Sequence, residues 1–150
     1  MRKTIIGVMG PGNGAIPKDL ENAYELGKQI ATQGWVLLTG GRQEGVMNAA
    51  SQGAKAANGL VVGILPTQDT SGASEAIDIA IVTDMGSGRN NINVLSSDIV
   101  IACGMGLGTA SEVALALKQG KNVILLNEQP LSHQFFTSLA PKQVFVATSP

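Results

Sequence analysis

The chain has 150 residues, of which 44% are hydrophobic but only 3% aromatic, and its formal net charge is −1. This length fits one domain with a core of Val, Ile, Leu and Ala, and the near-zero charge gives no electrostatic reason to expect a nucleic acid or membrane partner. One cysteine excludes an internal disulfide, and the apolar runs are too short for a signal peptide or a membrane span, so we expect a cytoplasmic protein.

Apolar runs alternate with stretches of helical spacing along the whole chain. The runs predict strands at 4–9, 35–38, 60–65, 77–82, 99–103, 123–126 and 144–147. The stretches predict helices around 20–31, 46–57, 89–96, 110–117 and 130–139. Most of the strands are continuous apolar runs, as in sheets that are covered on both faces. The alternation predicts a three-layer α/β fold with a mainly parallel sheet.

Four side chains and one loop receive specific expectations. Leu20 and Tyr24 fall on the apolar face of the first helix, and Ile92 and Leu95 fall on the inward face of the third. The segment 67–75 is polar and rich in Ser, Thr and Gly, so it is predicted to be a mobile loop.

Four glycine-bearing loops, 10–14, 39–45, 83–88 and 104–109, each follow a predicted strand. In parallel α/β sheets ligands bind at the carboxyl ends of the strands, so these loops should converge on one rim. Glycines let backbone N–H groups approach a ligand, and helix starts add unpaired donors, which together suit phosphate. The residues that we expect there are Gly10, Pro11, Gly12, Gly40, Gly41, Arg42, Gly45, Gly86, Gly88, Arg89, Asn90, Gly104, Met105, Gly106, Leu107, Gly108, Thr109 and Glu112.

Two charged residues stand out on this rim. Arg89 follows a glycine loop at a predicted helix start, where a guanidinium can bind phosphate bidentately. Glu112 lies about one turn into the next helix, and its position has two interpretations. It either places favourable charge at a helix N-terminus or faces the ligand.

Other kinds of site find little support in the sequence. Gly10, Gly12 and Ala15 fit a loose dinucleotide-binding pattern, but the acidic residue expected after the second strand is missing, and there is no P-loop lysine pattern. His133 is the only histidine and Cys103 the only cysteine, so we expect no metal site. The interpretation favoured for Cys103 is a small buried core residue, with a ligand contact as the alternative.

Three motifs carry a resemblance to the LOG-like family, known also as possible lysine decarboxylases. The segment from Gly104 to Glu112 resembles its P-G-G-x-G-T-x-x-E motif. The segment 40–47 resembles its G-G-x-x-G-[LV]-M loop, and 59–66 is similar to its G-G-x-V-x-G-[IV]-[IL]-P strand. The resemblance implies a single Rossmann-like domain over 1–150 that binds a phosphorylated ligand. It also implies a homo-oligomer, a dimer or tetramer built through helix faces.

Two functions within this superfamily are open to the chain. Phosphoribohydrolases of the cytokinin-activating type cleave the N-glycosidic bond of a nucleoside 5′-monophosphate, and Arg89 and Glu112 match their catalytic arginine and glutamate. The molybdenum cofactor carrier proteins are the other group. The short length, the run G-x-G-x-G-T-x-S-E-V-A-L-A-L-K-x-G-K and the segment G-x-G-R-N resemble that group.

Three departures from the hydrolase motif favour the carrier interpretation. Gly104 replaces its proline, Met105 replaces its first central glycine, and Asn90 follows the arginine in place of lysine. The resemblance therefore implies a carrier that binds the pterin cofactor by its terminal phosphate at the glycine loops and passes it to molybdoenzymes. The pterin and molybdate parts are expected near Arg89 and the 67–75 loop.

Overall fold

A computed structural model describes all 150 residues and contains seven strands, five α-helices and a 3-10 turn at Gly86–Gly88. The strands are β1 Ile5–Met9, β2 Val36–Thr39, β3 Leu60–Leu65, β4 Ile79–Val82, β5 Ile99–Cys103, β6 Asn122–Leu126 and β7 Val144–Ala147. The helices are α1 Pro17–Thr32, α2 Gly45–Ala56, α3 Arg89–Leu95, α4 Leu107–Lys118 and α5 Pro130–Leu139.

All seven strands form one parallel sheet in the order β4-β3-β2-β1-β5-β6-β7. The chain runs outward from β1 to β4 on one side and from β5 to β7 on the other. The topological switch point, where ligands bind in such sheets, therefore lies between β1 and β5. The predicted three-layer Rossmann-like α/β fold is confirmed.

Two apolar clusters, one on each face of the sheet, form the core. Helices α1 and α2 pack on one face through small and aliphatic residues such as Ala23, Ile30 and Ala50. Helices α3, α4 and α5 pack on the other, where Phe136 is the one aromatic core residue. As the composition predicts, aliphatic side chains and alanines therefore provide nearly all of the buried apolar surface.

Helices α1 and α2 approach each other at two glycines. A Cβ atom on Gly27 would lie 1.9 Å from the carbonyl oxygen of Ala50, and one on Gly53 would lie 1.9 Å from that of Tyr24. Both obstacles are backbone atoms, which cannot move aside as a flexible side chain can. The separation of the two helices therefore depends on the absence of a side chain at these positions.

Three inward-facing predictions are wrong in the structure. Leu20, Tyr24 and Leu95 are exposed, with 36%, 42% and 47% of their surfaces accessible. The buried stripe of α1 instead includes the polar residues Asp19 and Asn22, which displace the apolar face by one position. In α3 the buried residues are Asn93 and Val94, although Ile92 is half-buried.

The fourth strand is shorter and more exposed than predicted. Its pairing with β3 begins at Ile79 rather than at Ile77, and all four of its residues are exposed because it is an edge strand. The preceding 67–75 loop is tied to its surroundings. The backbone N–H of Ser74 donates to the Gly41 carbonyl at 2.9 Å, and its hydroxyl donates to Asn48 Oδ1 at 2.7 Å.

None of the five helices combines the length and the apolar character that a membrane crossing requires.

Candidate functional site

A cavity of about 380 Å³ opens at the carboxyl ends of β1 and β5, at the switch point of the sheet. Its volume lies within the roughly 300–1,000 Å³ that is typical of small-molecule sites. Each of the four glycine loops contributes at least one residue to its wall. Eleven of its 17 lining residues were predicted from the sequence: Gly10, Pro11, Gly12, Gly40, Arg89, Asn90, Gly106, Leu107, Gly108, Thr109 and Glu112.

Seven other predicted residues lie outside the cavity wall: Gly41, Arg42, Gly45, Gly86, Gly88, Gly104 and Met105. Three of these have structural roles or partners that explain the difference. Gly45 adopts φ +48, and a Cβ there would collide with the carbonyl oxygens of Pro11 and Gly12. Gly104 adopts φ +79 beside the buried Asp19 carboxylate. Arg42 is directed to solvent, where it pairs with Glu44 at 2.7 Å. No residue of the 67–75 loop lines the cavity either, and a position of the pterin near that loop stays a prediction.

Sequence reasoning missed six lining residues: Val8, Met9, Gly14, Met47, Ser87 and Asn93. Gly14 and Ser87 belong to the loops 10–14 and 83–88, which were predicted to converge, so membership of these loops could have identified them as lining residues. Asn93 is only 1% exposed. The signal that could have found it is a polar residue beside the apolar Val94 in a short helix.

The first turn of α4 presents unpaired hydrogen-bond donors at the cavity. Its N-cap residue, Gly106, has no side chain to accept them, and the first intrahelical bond is donated by Ala110 to the Gly106 carbonyl at 2.8 Å. The N–H groups of Leu107, Gly108 and Thr109 consequently have no partner within the chain. Such donors, together with the partial positive charge of a helix N-terminus, suit an anionic group such as phosphate.

Most of the donors of Arg89 are occupied by backbone carbonyls. Its Nε donates to the carbonyl of Ile64 at 2.8 Å, and its two terminal nitrogens donate to the carbonyls of Gly86 and Gly40 at 3.2 and 3.4 Å. Burial lowers the pKa of Arg89, although the negative charge of Glu112 acts in the opposite direction. A guanidinium has five N–H donors, so two remain for a ligand in the cavity.

Glu112 is a buried carboxyl in the cavity wall, with 8% of its surface exposed. Its one hydrogen-bond partner is Asn93, whose Nδ2 donates to Oε2 at 3.0 Å. Burial raises the pKa of Glu112 to about 7, although the bond from Asn93 and the charge of Arg89 both act to lower it. A solvated charge at a helix terminus would be exposed, so the geometry favours the cavity-facing interpretation.

Two buried polar atoms beside the cavity have no hydrogen-bond partner: Thr109 Oγ1 and Asn93 Oδ1. Both belong to residues of the cavity wall. Buried polar groups are nearly always paired, because an unpaired one costs about 1–3 kcal/mol of stability. These atoms therefore fit a site whose polar groups find their partners on a ligand.

Cys103 and His133 lie outside this cavity. Cys103 is fully buried, its thiol donates to the Asp19 carbonyl at 3.3 Å, and burial raises the pKa of the thiol to about 12. The favoured interpretation as a core residue is confirmed. His133 lines a separate cavity of about 170 Å³ on the α1 side of the rim. No group of three or more His, Cys, Asp or Glu side chains lies in a metal-binding arrangement.

A parallel sheet with a donor-rich cavity at its switch point is a Rossmann-like arrangement. The comparisons with known proteins place the chain in the LOG-like superfamily. The chain belongs to the SLOG cluster4 family, whose model matches residues 3–150.

Two solved structures are similar over nearly the whole chain. The molybdenum cofactor binding protein of the phototrophic bacterium Rippkaea orientalis is 66% identical, with 100% of this chain and 92% of that chain covered and a TM-score of 0.99. The molybdenum cofactor carrier protein of Chlamydomonas reinhardtii is 57% identical, with 99% and 91% covered and a TM-score of 0.94.

A hydrolase of the superfamily is more distantly similar. The cytokinin riboside 5′-monophosphate phosphoribohydrolase of Mycobacterium tuberculosis is 36% identical over 103 residues, which is 67% of this chain and 55% of that protein.

Proposed function

We propose that this protein binds the molybdenum cofactor, protects it and carries it to molybdoenzymes. One observation carries the proposal: the chain matches a molybdenum cofactor binding protein from end to end at 66% identity. The cavity agrees with it in size and chemistry. A phosphorylated pterin needs an anion site beside a wall that can accept and donate hydrogen bonds.

The residues present fit such a ligand in the following way. The unpaired N–H groups of Leu107, Gly108 and Thr109 are assigned to the terminal phosphate, because free donors at a helix N-terminus bind anions. Arg89 contributes its two remaining donors. Asn90 and Ser87 lie at the same wall, along the part that the pterin would occupy.

Phosphoribohydrolase activity is the second candidate function, and Glu112 is the observation that favours it. A carboxyl with a pKa of about 7 at a cavity wall has the protonation behaviour of a general acid or base. The similar hydrolase, however, matches the chain at lower identity and over a shorter segment than the cofactor-binding proteins.

Anaerobic binding of purified molybdenum cofactor, measured beside AMP hydrolysis on the same preparation, separates the two candidates. We expect saturable binding of one cofactor per chain and no release of adenine. Glu112→Gln is the matched variant because it keeps the shape of the side chain and removes its charge. Adenine release that Glu112→Gln abolishes, with negligible cofactor binding, would identify a hydrolase instead.

We also propose that the protein is a homo-oligomer, a dimer or a tetramer. A groove of about 770 Å³ beside α1 leaves part of the sheet uncovered, and Trp35, Ile99 and Ile124 are among its apolar residues. Light scattering should give a mass that is two or four times 15.4 kDa, and Ile124→Glu should lower it to that of one chain. A single-chain mass for the unmodified protein would refute the assembly. The cytoplasmic location stays a prediction.

A further inference from the structure

The cavity brings an ionisable carboxyl and an anion site together. Glu112 lies in the cavity wall. The residues at the start of its own helix, α4, line the same cavity, and their N–H groups are unpaired. The carboxyl is more than nine-tenths buried and has no ion-pair partner within 4 Å. Its ionised form is held by a single side-chain hydrogen bond, from Asn93 Nδ2 at 3.0 Å.

The elements that pack against α4 offer little further compensation for this charge. Helix α4 packs against α3, β5 and β6. Arg89 is the only ionisable residue of α3, and three of its donors are held by carbonyls. Cys103 is the only ionisable residue of β5, and its thiol donates to a carbonyl of α1 on the other face of the sheet. Strand β6 has no ionisable residue. Asn93 and Arg89 are thus the two groups that stabilise an ionised Glu112.

An anionic ligand changes this balance in one direction. A phosphate on the first turn of α4 brings negative charge into the cavity that Glu112 shares, and it excludes water from the carboxyl. Both effects disfavour the ionised carboxylate. The remaining donors of Arg89 are also drawn to the ligand, which weakens their effect on Glu112.

We propose that Asn93 and Glu112 form a proton-coupled pair, in which Asn93 positions the carboxyl and Glu112 takes up one proton from solvent when an anionic ligand binds. This inference rests on the proposed function for the identity of the ligand, but it applies to any anion that occupies the cavity. It makes Asn93 a positioning residue of the site and links ligand affinity to pH.

The sign of the linkage follows from the direction of the change. Glu112 titrates near pH 7 in the free protein and at higher pH in the complex, so the complex binds more protons. Affinity is then greatest below pH 7 and falls as the pH rises above it. Between pH 6 and pH 8 we expect Kd to rise about tenfold, because each pH unit above the free pKa changes the equilibrium by up to a factor of ten.

The first measurement needs no ligand. A carbon-13 NMR titration of the Glu112 carboxyl, assigned by its disappearance in Glu112→Gln, should give a pKa near 7. Asn93→Leu removes the hydrogen bond and should raise this pKa, whereas Asn91→Leu should leave it unchanged. Asn91 is the matched control because it lies in the same helix and makes no hydrogen bond to Glu112. An unchanged pKa in Asn93→Leu would overturn the role of Asn93.

The second measurement counts protons. Calorimetric binding of the molybdenum cofactor in buffers of different ionisation enthalpy at pH 7.5 should show proton uptake that is absent in Glu112→Gln. Sulfate is the second probe, since it is a tetrahedral dianion that does not titrate between pH 6 and pH 8. Comparison with Glu112→Gln removes the contribution of the cofactor's own phosphate.

The outcomes separate this inference from the proposed function. Cofactor binding with the same proton count in Glu112→Gln and the unmodified protein would overturn the inference and leave the carrier function intact. Proton-coupled sulfate binding without cofactor binding would support the inference and overturn the carrier function. If neither probe bound, both would fall.

Discussion

Gly27→Ala is expected to destabilise the protein by about 3 kcal/mol or more, at or beyond the upper end of typical overpacking effects. The new methyl group would lie 1.9 Å from the Ala50 carbonyl oxygen, so α1 and α2 would have to move apart. Most of the core of that face lies beneath these two helices. Because small domains have a total stability of roughly 5–15 kcal/mol, the loss should be plain in denaturant or thermal unfolding.

The sign of this effect is opposite to the usual one. Glycine within a helix is normally less stable than alanine by up to about 1 kcal/mol, so the same change at an open position should be neutral or favourable. Gly108 in α4 is such a position, since a Cβ there would meet nothing within 4 Å. If Gly27→Ala were as stable as Gly108→Ala, the close contact of the helices would not be needed for folding.

Gly106→Leu is expected to block the cavity and leave the fold intact. The residue has φ −153 and ψ −178, an extended conformation that any residue adopts, and its Cβ would make ordinary contacts with Pro11 at 3.8 Å. The rest of a leucine side chain would then lie between two of the four glycine loops, 10–14 and 104–109. We expect cofactor affinity to fall by about a hundredfold, or roughly 2.8 kcal/mol, with an unchanged melting temperature.

A graded series makes this test specific. Gly106→Ala adds only the methyl group and should retain most of the binding. Gly72→Leu is the control, because Gly72 lies outside the cavity wall and a Cβ there would meet nothing within 4 Å; this variant should bind as the unmodified protein does. Equal affinity in Gly106→Leu and Gly106→Ala would show that the ligand does not enter between these loops.

The sheet and the rim were predictable because periodicity and strand-end glycines are local signals. Continuous apolar runs mark the buried strands, and parallel topology brings their ends together. The edge strand β4 was the exception. Its apolar residues Ile79, Ile81 and Val82 are exposed, and nothing in an apolar run tells a central strand from an edge strand.

The cavity wall could be predicted only in part, because side-chain direction within a loop is not periodic. Gly104 and Gly106 are two residues apart, yet one packs against buried Asp19 and the other faces the cavity. Asn93 was missed because its importance lies in a bond to Glu112, 19 positions away. Contacts of that kind follow from the docking of α3 on α4, which no local pattern encodes.

Arg89 affects how activity is inferred across the superfamily. By donating to carbonyls after β2, at β3 and at the 3-10 turn, it holds three separate segments of the rim in register. A protein without hydrolase activity would therefore still need this arginine to maintain the shape of the rim. The arginine–glutamate signature therefore reports a common architecture, and an assignment of hydrolase activity from that signature requires evidence of turnover.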